Sequence, residues 1–492
     1  MNSEINIPDH WQLATIKDVQ ANEKRATITG PFGSSIGKRF FVSEGIPVIR
    51  GNNLSYKVGT FDDSGFVYIT REKANELKGY IAKPGDLIFT AAGTIGQVAL
   101  IPFAARFEEY IISNKQMRVR LDLKKVDNFY AYYWFSCPIM NAYIKRQDTG
   151  STIPLINLSV LRALPIPLPP LQEQRTIATI LKSLDDKIGI NHQINQTLEQ
   201  MAQAIFKSWF VDFEPVKAKI AALEAGGSEE DALLAAMQAI SGKGEAELTR
   251  LQAEQPEQYA ELRATAELFP SAMQDSELGE IPEGWEVAPL SAMVDLIGGG
   301  TPKKSEPSFW NGDICWFSVK DVPSDGNVFV VDTEAKITDE GLNRSSTKLL
   351  PIGTTIITAR GTVGKLALTG VSTAMNQSCY GVVASDGTGP YLNYLRLSEG
   401  VDTLKRNTHG AVFDTITRST FETVVQPHPC FAIRQRFEQT VTPMFEAIRN
   451  NLIQSITLSE ARDSLLPKLL SGEISVFNVP GQLVDEAEPA NV

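Results

Sequence analysis

LQEQRTIATILKSLDDKIGINHQINQTLEQMAQAIFKSWFVDF occupies Leu171 to Phe213. Its apolar residues fall at Ile177, Leu181, Leu184 and Ile188, then at Leu198, Ala202, Ile205 and Trp209, spaced alternately four and three apart. Asn191 and Asn195 fill the two seam positions between these groups. This is the heptad seam of a helix that packs against another helix, with a polar middle. Moving 260 residues along, Phe437, Val441, Met444, Ile448, Asn451, Ser455, Leu458, Arg462, Leu465 and Leu469 hold the corresponding positions. The chain therefore carries the same helix twice, and in both copies the centre of the seam is polar.

The repeat extends beyond the helix. PGDLIFTAAGTIGQVAL from Pro84 returns as PIGTTIITARGTVGKLAL from Pro351, and TGSTIPLINLSVLRALPIPLPP from Thr149 returns as HGAVFDTITRSTFETVVQPHPC from His409. IPDHW at Ile7 has its counterpart in IPEGW at Ile281. Two diverged copies of domain plus helix are predicted. A tandem repeat of this kind tends to pack about a pseudo-twofold axis, which makes the two helices antiparallel; the alternative is two separate helices, each packed on its own domain. With the axis near residues 193 and 453, Asn195 approaches Asn451, and the buried amides of Asn191, Asn195 and Asn451, with Ser455, fix the register. Asp185 and Asp186 suggest the start of the uninterrupted first helix, and Pro443 predicts a break in the second before Met444. From Asp185 to Trp209 such a rod spans about 37 Å, close to the roughly 34–36 Å of one turn of B-DNA. It has the length of a ruler between two DNA readers.

The boundaries follow. Residues 1–170 form a mixed α+β domain with short strands such as IPVIRG from Ile46 and a helix from Asn128, closed by the prolines at 165, 167, 169 and 170, which should stop regular structure. The first seam helix takes 171–213, and an Ala/Glu-rich connector takes 214–278, with Gly226 as a helix stop and Ser228–Asp231 as a capping box. A second domain takes 279–430, the second seam helix 431–472, and an acidic tail 473–492.

The 492 residues carry a formal net charge of −12 and 43% hydrophobic residues. The charge is unevenly spread: residues 1–170 hold 20 Lys+Arg against 15 Asp+Glu, residues 214–283 hold 5 against 15, and residues 284–430 hold 12 against 15. Acidity concentrates in the connector, so the sum does not exclude a nucleic-acid partner. No run of 18 apolar residues and no export signal is present, which points to a cytoplasmic protein without a membrane partner. Cys137, Cys315, Cys379 and Cys430 stand apart and read as buried thiols, not as a disulfide framework or a zinc cage. GPFGSSIGKRF at Gly30 fails as a phosphate loop, with Phe32 where Gly is needed and Arg39 in place of Ser or Thr. The four histidines form no metal-spaced cluster. No catalytic residues are assigned and no metal site.

The order and duplication of IPVIRGNNL, PGDLIFTAAGTIG, GGGTPK, ARGTVG, IPLPPLQEQRTIATIL and LEQMAQAIFKSWFVDFEPVKAK resemble the DNA-specificity subunit of type I restriction-modification enzymes. The resemblance covers essentially the whole chain. It implies an α+β architecture of two pseudo-twofold-related target-recognition domains separated by an antiparallel two-helix coiled coil, each domain reading one half of a split, asymmetric site in double-stranded DNA. It also implies two DNA adenine methyltransferase subunits and ATP-driven restriction/translocase subunits as partners. S-adenosylmethionine, ATP and Mg belong on those partners and no cofactor on this chain. The alternatives are an assembly scaffold that reads no DNA and a self-contained methyltransferase or nuclease.

Base edges favour Arg, Lys, Asn and Gln, and phosphates favour Lys, Thr and glycine amides. The DNA-binding candidates are Lys38, Arg39, Arg50, Asn52, Asn53, Thr94, Lys115 and Gln116 in the first domain. In the second they are Lys303, Lys304, Lys320, Arg360, Thr362, Asn376, Gln377 and His409. Phe206, Trp209 and Phe210 at the end of the first seam helix are candidates either for core contact with a domain or for docking a partner subunit.

Overall fold

The computed structural model describes residues 7–54, 60–150, 153–323, 326–407 and 415–476. The chain divides into two compact units, Met1–Ile190 with Ser455–Val492, and Asn191–Gln454. Each unit thus owns one α+β domain and half of each seam helix.

The first seam helix runs unbroken over Leu171–Phe210 and the second over Phe431–Leu470. At 1.5 Å per residue each is about 60 Å long. The first helix therefore begins well before Asp185. Pro169 and Pro170 precede its first turn, Gln174 N–H donates to the Pro170 carbonyl at 3.1 Å, and the buried Gln174 side chain donates to the Pro169 carbonyl at 2.8 Å and accepts from Asp127 N–H at 2.9 Å. Asp185 is an internal anchor: it accepts from the Tyr133 hydroxyl and from Arg462, each at 2.7 Å. A helix-start signal was overridden by tertiary partners. Pro443 does not interrupt the second helix either. It is exposed, as is Gln439 one turn before it, so the carbonyl left without its amide partner faces water, while Phe437, Val441, Phe445 and Ile448 hold the opposite face in the core.

In the unit formed by 191–454 the helices are antiparallel and their contacts are polar at the centre. Asn451 donates to Asn195 Oδ1 at 2.9 Å, Asn195 donates to the Ile448 carbonyl at 3.4 Å, and Asn191 donates to Gln454 Oε1 at 2.9 Å and to the Asn451 carbonyl at 3.4 Å. Asn191 and Asn195 are fully buried. Asn191, Asn195 and Asn451 meet here together with Gln454, and Ser455 belongs to the other unit. In that other unit Ile177 and Leu181 pack with Leu466, Leu469 and Leu470 in a core that also contains Trp11 and Trp134.

The two domains share one strand plan. In the first, an antiparallel sheet is ordered Thr27–Thr29, Gln116–Val119, Leu87–Thr90, Val98–Leu100; in the second the order is Val294–Gly298, Cys379–Ala384, Thr355–Thr358, Leu366–Thr369, with Phe329–Val330 added at the edge. A parallel pair recurs too, Ile46–Ile49 beside Tyr110–Ile112 and Trp310–Phe317 beside Thr373–Met375. The proline-rich exit does not end regular structure: Pro165–Leu168 is a strand paired with Gln12–Thr15, as Val425–His428 is with Glu286–Pro289. In a two-stranded ladder only alternate residues donate to the partner, so prolines at every second position cost no ladder bond. The helix expected from Asn128 is two, Asn128–Ser136 and Pro138–Arg146, divided at Cys137 by the following proline.

The connector is a module of four helices, Glu214–Glu224, Glu229–Ser241, Glu245–Glu254 and Pro256–Glu267, around Leu233, Ala236, Met237, Leu248 and Ala266. Ser228 and Asp231 form the capping box. A strand begins again at Met273, ahead of the expected boundary. Cys137, Cys315 and Cys379 are buried, and burial pushes the Cys379 thiol up to about 12; Cys430 is exposed, because it sits at the open entry to the second seam helix beside the half-exposed Phe431.

Phe206, Trp209 and Phe210 are 7%, 1% and 7% exposed, so most of each ring is spent on internal packing. Their rings pack on Phe437 at 6.1, 5.5 and 4.9 Å between centroids, and Trp209 also meets Phe269 at 5.2 Å. The aromatic cluster closes the core of its own unit, which is the internal alternative of the two.

Nearby, Asp386 is held by Arg396 at 3.1 Å and by Arg434 at 2.9 Å, with His428 Nδ1 at 3.7 Å. Burial pushes the Asp386 carboxyl up, but the Thr388 hydroxyl and amide and the Arg396 guanidinium more than offset this and hold it below its usual value. Burial, with the charges of Arg434 and Arg396, holds the His428 imidazole below its ordinary value.

Two outcomes follow from this packing. Asn195→Ala removes the acceptor of the Asn451 amide at 2.9 Å and should cost about 1–3 kcal/mol in urea unfolding; Asn195→Leu with Asn451→Leu should recover most of it, and equal losses in both variants would mean that the amides are incidental. Stability should also fall with pH in two stages. The unfolded chain takes up a proton at His428 first, so its contribution is complete above about pH 6.5 and is lost as pH falls through the lower folded value; that of Asp386 is complete above about pH 4 and is lost below it. In urea titrations against pH, His428→Gln should flatten the upper stage and leave the lower.

Candidate nucleic-acid interface

The fully buried strand Ile46–Ile49 delivers Arg50 at its end, and its last carbonyl accepts from Ser113 N–H at 3.0 Å. Ala91, following the strand Leu87–Thr90, donates its N–H to the Lys115 carbonyl at 2.7 Å. These bonds gather three loop tips around a cleft of about 560 Å³ whose polar lining includes Arg50, Asn52, Thr94, Asn114, Lys115 and Gln116. Gly93 has φ +93°, a conformation that turns the chain back sharply and carries Thr94 to the rim. Lys38 and Arg39 lie in a short exposed turn, and Ile36 and Phe41 on either side of that turn line the same cleft. Arg39 is steadied by the Ser34 carbonyl at 3.1 Å and by the Phe40 ring at 4.7 Å.

Arg50, Asn52, Thr94 and Lys115 are exposed in this cleft. Asn53 is not a reader. Fully buried, it donates to the Asp62 carbonyl at 3.0 Å and the Ser64 carbonyl at 2.8 Å and accepts from Arg50 N–H at 2.9 Å, so its amide is spent in shaping the loop that presents Arg50 and Asn52. Gln116 is 1% exposed and accepts from the Ser113 hydroxyl, which makes it part of the cleft floor and not of the rim. The Thr94 hydroxyl donates to Gln97 at 2.6 Å.

The second domain repeats the backbone bonds. Asn376 N–H donates to the Phe317 carbonyl at 2.9 Å and Ala359 N–H to the Ser378 carbonyl at 2.7 Å, the counterparts of Ser113 to Ile49 and Ala91 to Lys115. Gln377 therefore corresponds to Asn114, an exposed residue that the sequence reading passed over and that alignment of the two copies at this turn identifies. Arg360 and Thr362 are exposed on the loop after Thr355–Thr358. Gln377 is exposed and accepts from the Thr301 hydroxyl, while Asn376 Oδ1 accepts from Ser378 N–H at 2.9 Å and stiffens the turn. Lys303 and Lys304 follow Thr301 and are exposed. Lys320 forms an exposed ion pair with Glu334 at 3.2 Å, an arrangement that a phosphate could compete with. His409 lies outside the described residues.

Each domain thus presents exposed cationic and amide side chains on a rigid frame of strands. Such a surface can hold phosphates with Lys and Arg and meet base edges with amides and guanidinium groups. Among the described residues no helix is long and apolar enough to cross a membrane, and no group of three or more His, Cys, Asp or Glu could hold a metal.

A family model for the type I restriction modification DNA specificity domain matches twice, over residues 8–200 and 282–457. The chain is 36% identical over 377 residues to the type I restriction enzyme HindI specificity subunit of Haemophilus influenzae, covering 75% of this chain and 82% of that one. It is 26% identical over 486 residues to the MjaIX specificity subunit of Methanocaldococcus jannaschii, covering 96% and 95%. Among solved structures, the S subunit of a type I restriction-modification system from M. genitalium superposes with a TM-score of 0.52 at 14% identity, covering 95% of this chain and 97% of that one, a likeness of fold.

The geometry separates framing residues from reading residues. Asn53→Ala should lower unfolding stability by about 1–3 kcal/mol and leave the selected DNA sequence unchanged, whereas Lys115→Ala should leave the melting temperature unchanged and weaken DNA binding with a shallower salt dependence. Calorimetry and binding titrations at several salt concentrations distinguish the two.

Proposed function

This chain belongs to the type I restriction modification DNA specificity family, and from that premise we propose that it reads a split, asymmetric site in double-stranded DNA, one half with each domain. The observation that carries the reading is the duplicated loop frame: the same backbone bonds recur in both domains while the exposed side chains on them differ. One frame with two sets of side chains suits two unlike half-sites.

In this proposal Arg50, Asn52, Asn114 and Lys115 address the first half-site, with Lys38, Arg39 and Thr94 at its flanks. Arg360, Thr362 and Gln377 address the second, with Lys303, Lys304 and Lys320 on phosphates. Two DNA adenine methyltransferase subunits and restriction/translocase subunits assemble on the chain and bring S-adenosylmethionine, ATP and Mg, so that this subunit acts in the cytoplasm without catalysing a step itself. The family membership disfavours a scaffold that reads no DNA.

The test is single-molecule methylome sequencing of cells that express this chain with its methyltransferase partner, against a matched deletion of the chain. A bipartite adenine-methylated motif should be present with the chain and absent without it. Methylation that persists unchanged in the deletion would leave the chain without a specificity role.

A further inference from the structure

Phe32 is 85% exposed, the most exposed large apolar side chain among the described residues. Apolar surface of this kind is costly to leave in water, and a single exposed aromatic on a mobile loop would normally fold back onto its neighbours. Here the ring stays in solvent, on a turn whose backbone is held in place from both sides. Pro31 is buried on one side of Phe32. Gly30 is pressed so closely on the turn that a Cβ there would lie 1.9 Å from the Ser113 carbonyl oxygen, and its N–H donates to the Gln116 carbonyl at 2.8 Å. On the other side, Gly33 abuts Asn114, where a Cβ would be 3.2 Å from Nδ2, and Ser35 N–H returns to the Phe32 carbonyl at 2.8 Å. Phe32 itself has unstrained extended angles, φ −56° and ψ 144°. The exposed ring precedes Gly33, which packs on Asn114 of the cleft that also contains Lys115 and Gln116, and the exposed Lys38 and Arg39 follow in the next turn.

The second domain supplies an internal comparison. Gly299 makes the same close approach, with a Cβ 1.9 Å from the Asn376 carbonyl oxygen, and two residues after it stands Thr301 where the first domain has Phe32. Thr301 turns its hydroxyl to Gln377. The frame therefore does not require an aromatic side chain at this point.

We infer that Phe32 is a wedge that enters the base stack of the first half-site, parting one base step when the neighbouring cations seat the domain on the phosphates. An apolar side chain inserted between bases unstacks and kinks a duplex, and exchanges its exposed surface for a base face. The first half-site is then selected in part by how readily one step opens, and the second, with Thr301, by polar contact alone. The inference rests on the DNA-reading proposal above.

The test uses the full-length chain assembled with its methyltransferase partner and duplexes carrying the motif methylated in vivo, with 2-aminopurine scanned through the adenines of either strand in and next to the half-site, the methylated adenine excepted. In the wild-type complex one position in the half-site read by the first domain should brighten on binding. Phe32→Ala should remove that signal and weaken specific binding about tenfold, with an unchanged melting temperature, and Phe32→Trp should keep both signal and affinity. Unchanged fluorescence and affinity in Phe32→Ala would overturn the wedge, and so would a loss confined to assembly with the methyltransferase, which would make Phe32 a protein contact. A wild-type complex with no preference for the methylated motif would instead remove the DNA-reading proposal on which the wedge rests.

Discussion

The hydrogen bond from Asn451 to Asn195, at the buried polar centre of the seam, determines which residues of the two long helices can face each other. Leucine and isoleucine seams tolerate sliding by a heptad, because one aliphatic side chain fits where another did. Amides do not: displaced by seven residues, Asn191 and Asn195 would lie against aliphatic neighbours with their polar atoms unmet. The bonds from Asn191 to Gln454 and from Asn195 to the Ile448 carbonyl strengthen that constraint, and the apolar packing on either side supplies stability without having to supply register.

A second constraint lies inside each domain. The contact of Gly30 with Ser113, and of Gly299 with Asn376, ties the first strand of a sheet to the turn before its neighbour. With the paired bonds of Ala91 and Ala359, it holds the loop tips in place without using their side chains. Positions such as Asn52, Asn114 and Arg360 are thereby released from structural duty, which is what a surface adapted to different DNA sequences needs. Asn53 marks the other side of that division: adjacent to Asn52 in sequence, it is wholly engaged in holding the loop.

The helices, the duplication and the polar centre of the seam were legible because periodicity and repetition are properties of sequence order. The interruptions were not. Asp185 looks like a helix start until Arg462 and Tyr133 are brought to it from far along the chain. Pro443 looks like a break until its orientation toward solvent is known. The prolines of Pro165–Leu168 suggest an end to regular structure until the partner strand shows that alternate positions need no donor. The same holds for the site: residue type suggested both Asn52 and Asn53, and only burial separates them. Burial likewise resolved Phe206, Trp209 and Phe210 in favour of the core, since a helix end rich in aromatics has the same sequence whether it faces a partner or its own domain.

The strand Gln12–Thr15 pairs with Pro165–Leu168, and Glu286–Pro289 with Val425–His428, so that each domain is closed off where the chain enters and leaves it. The ladder acts as a clasp: whatever lies between its two strands begins and ends at the same point. Changes in the loop tips between them can then accumulate without altering the path by which the chain joins the following helix.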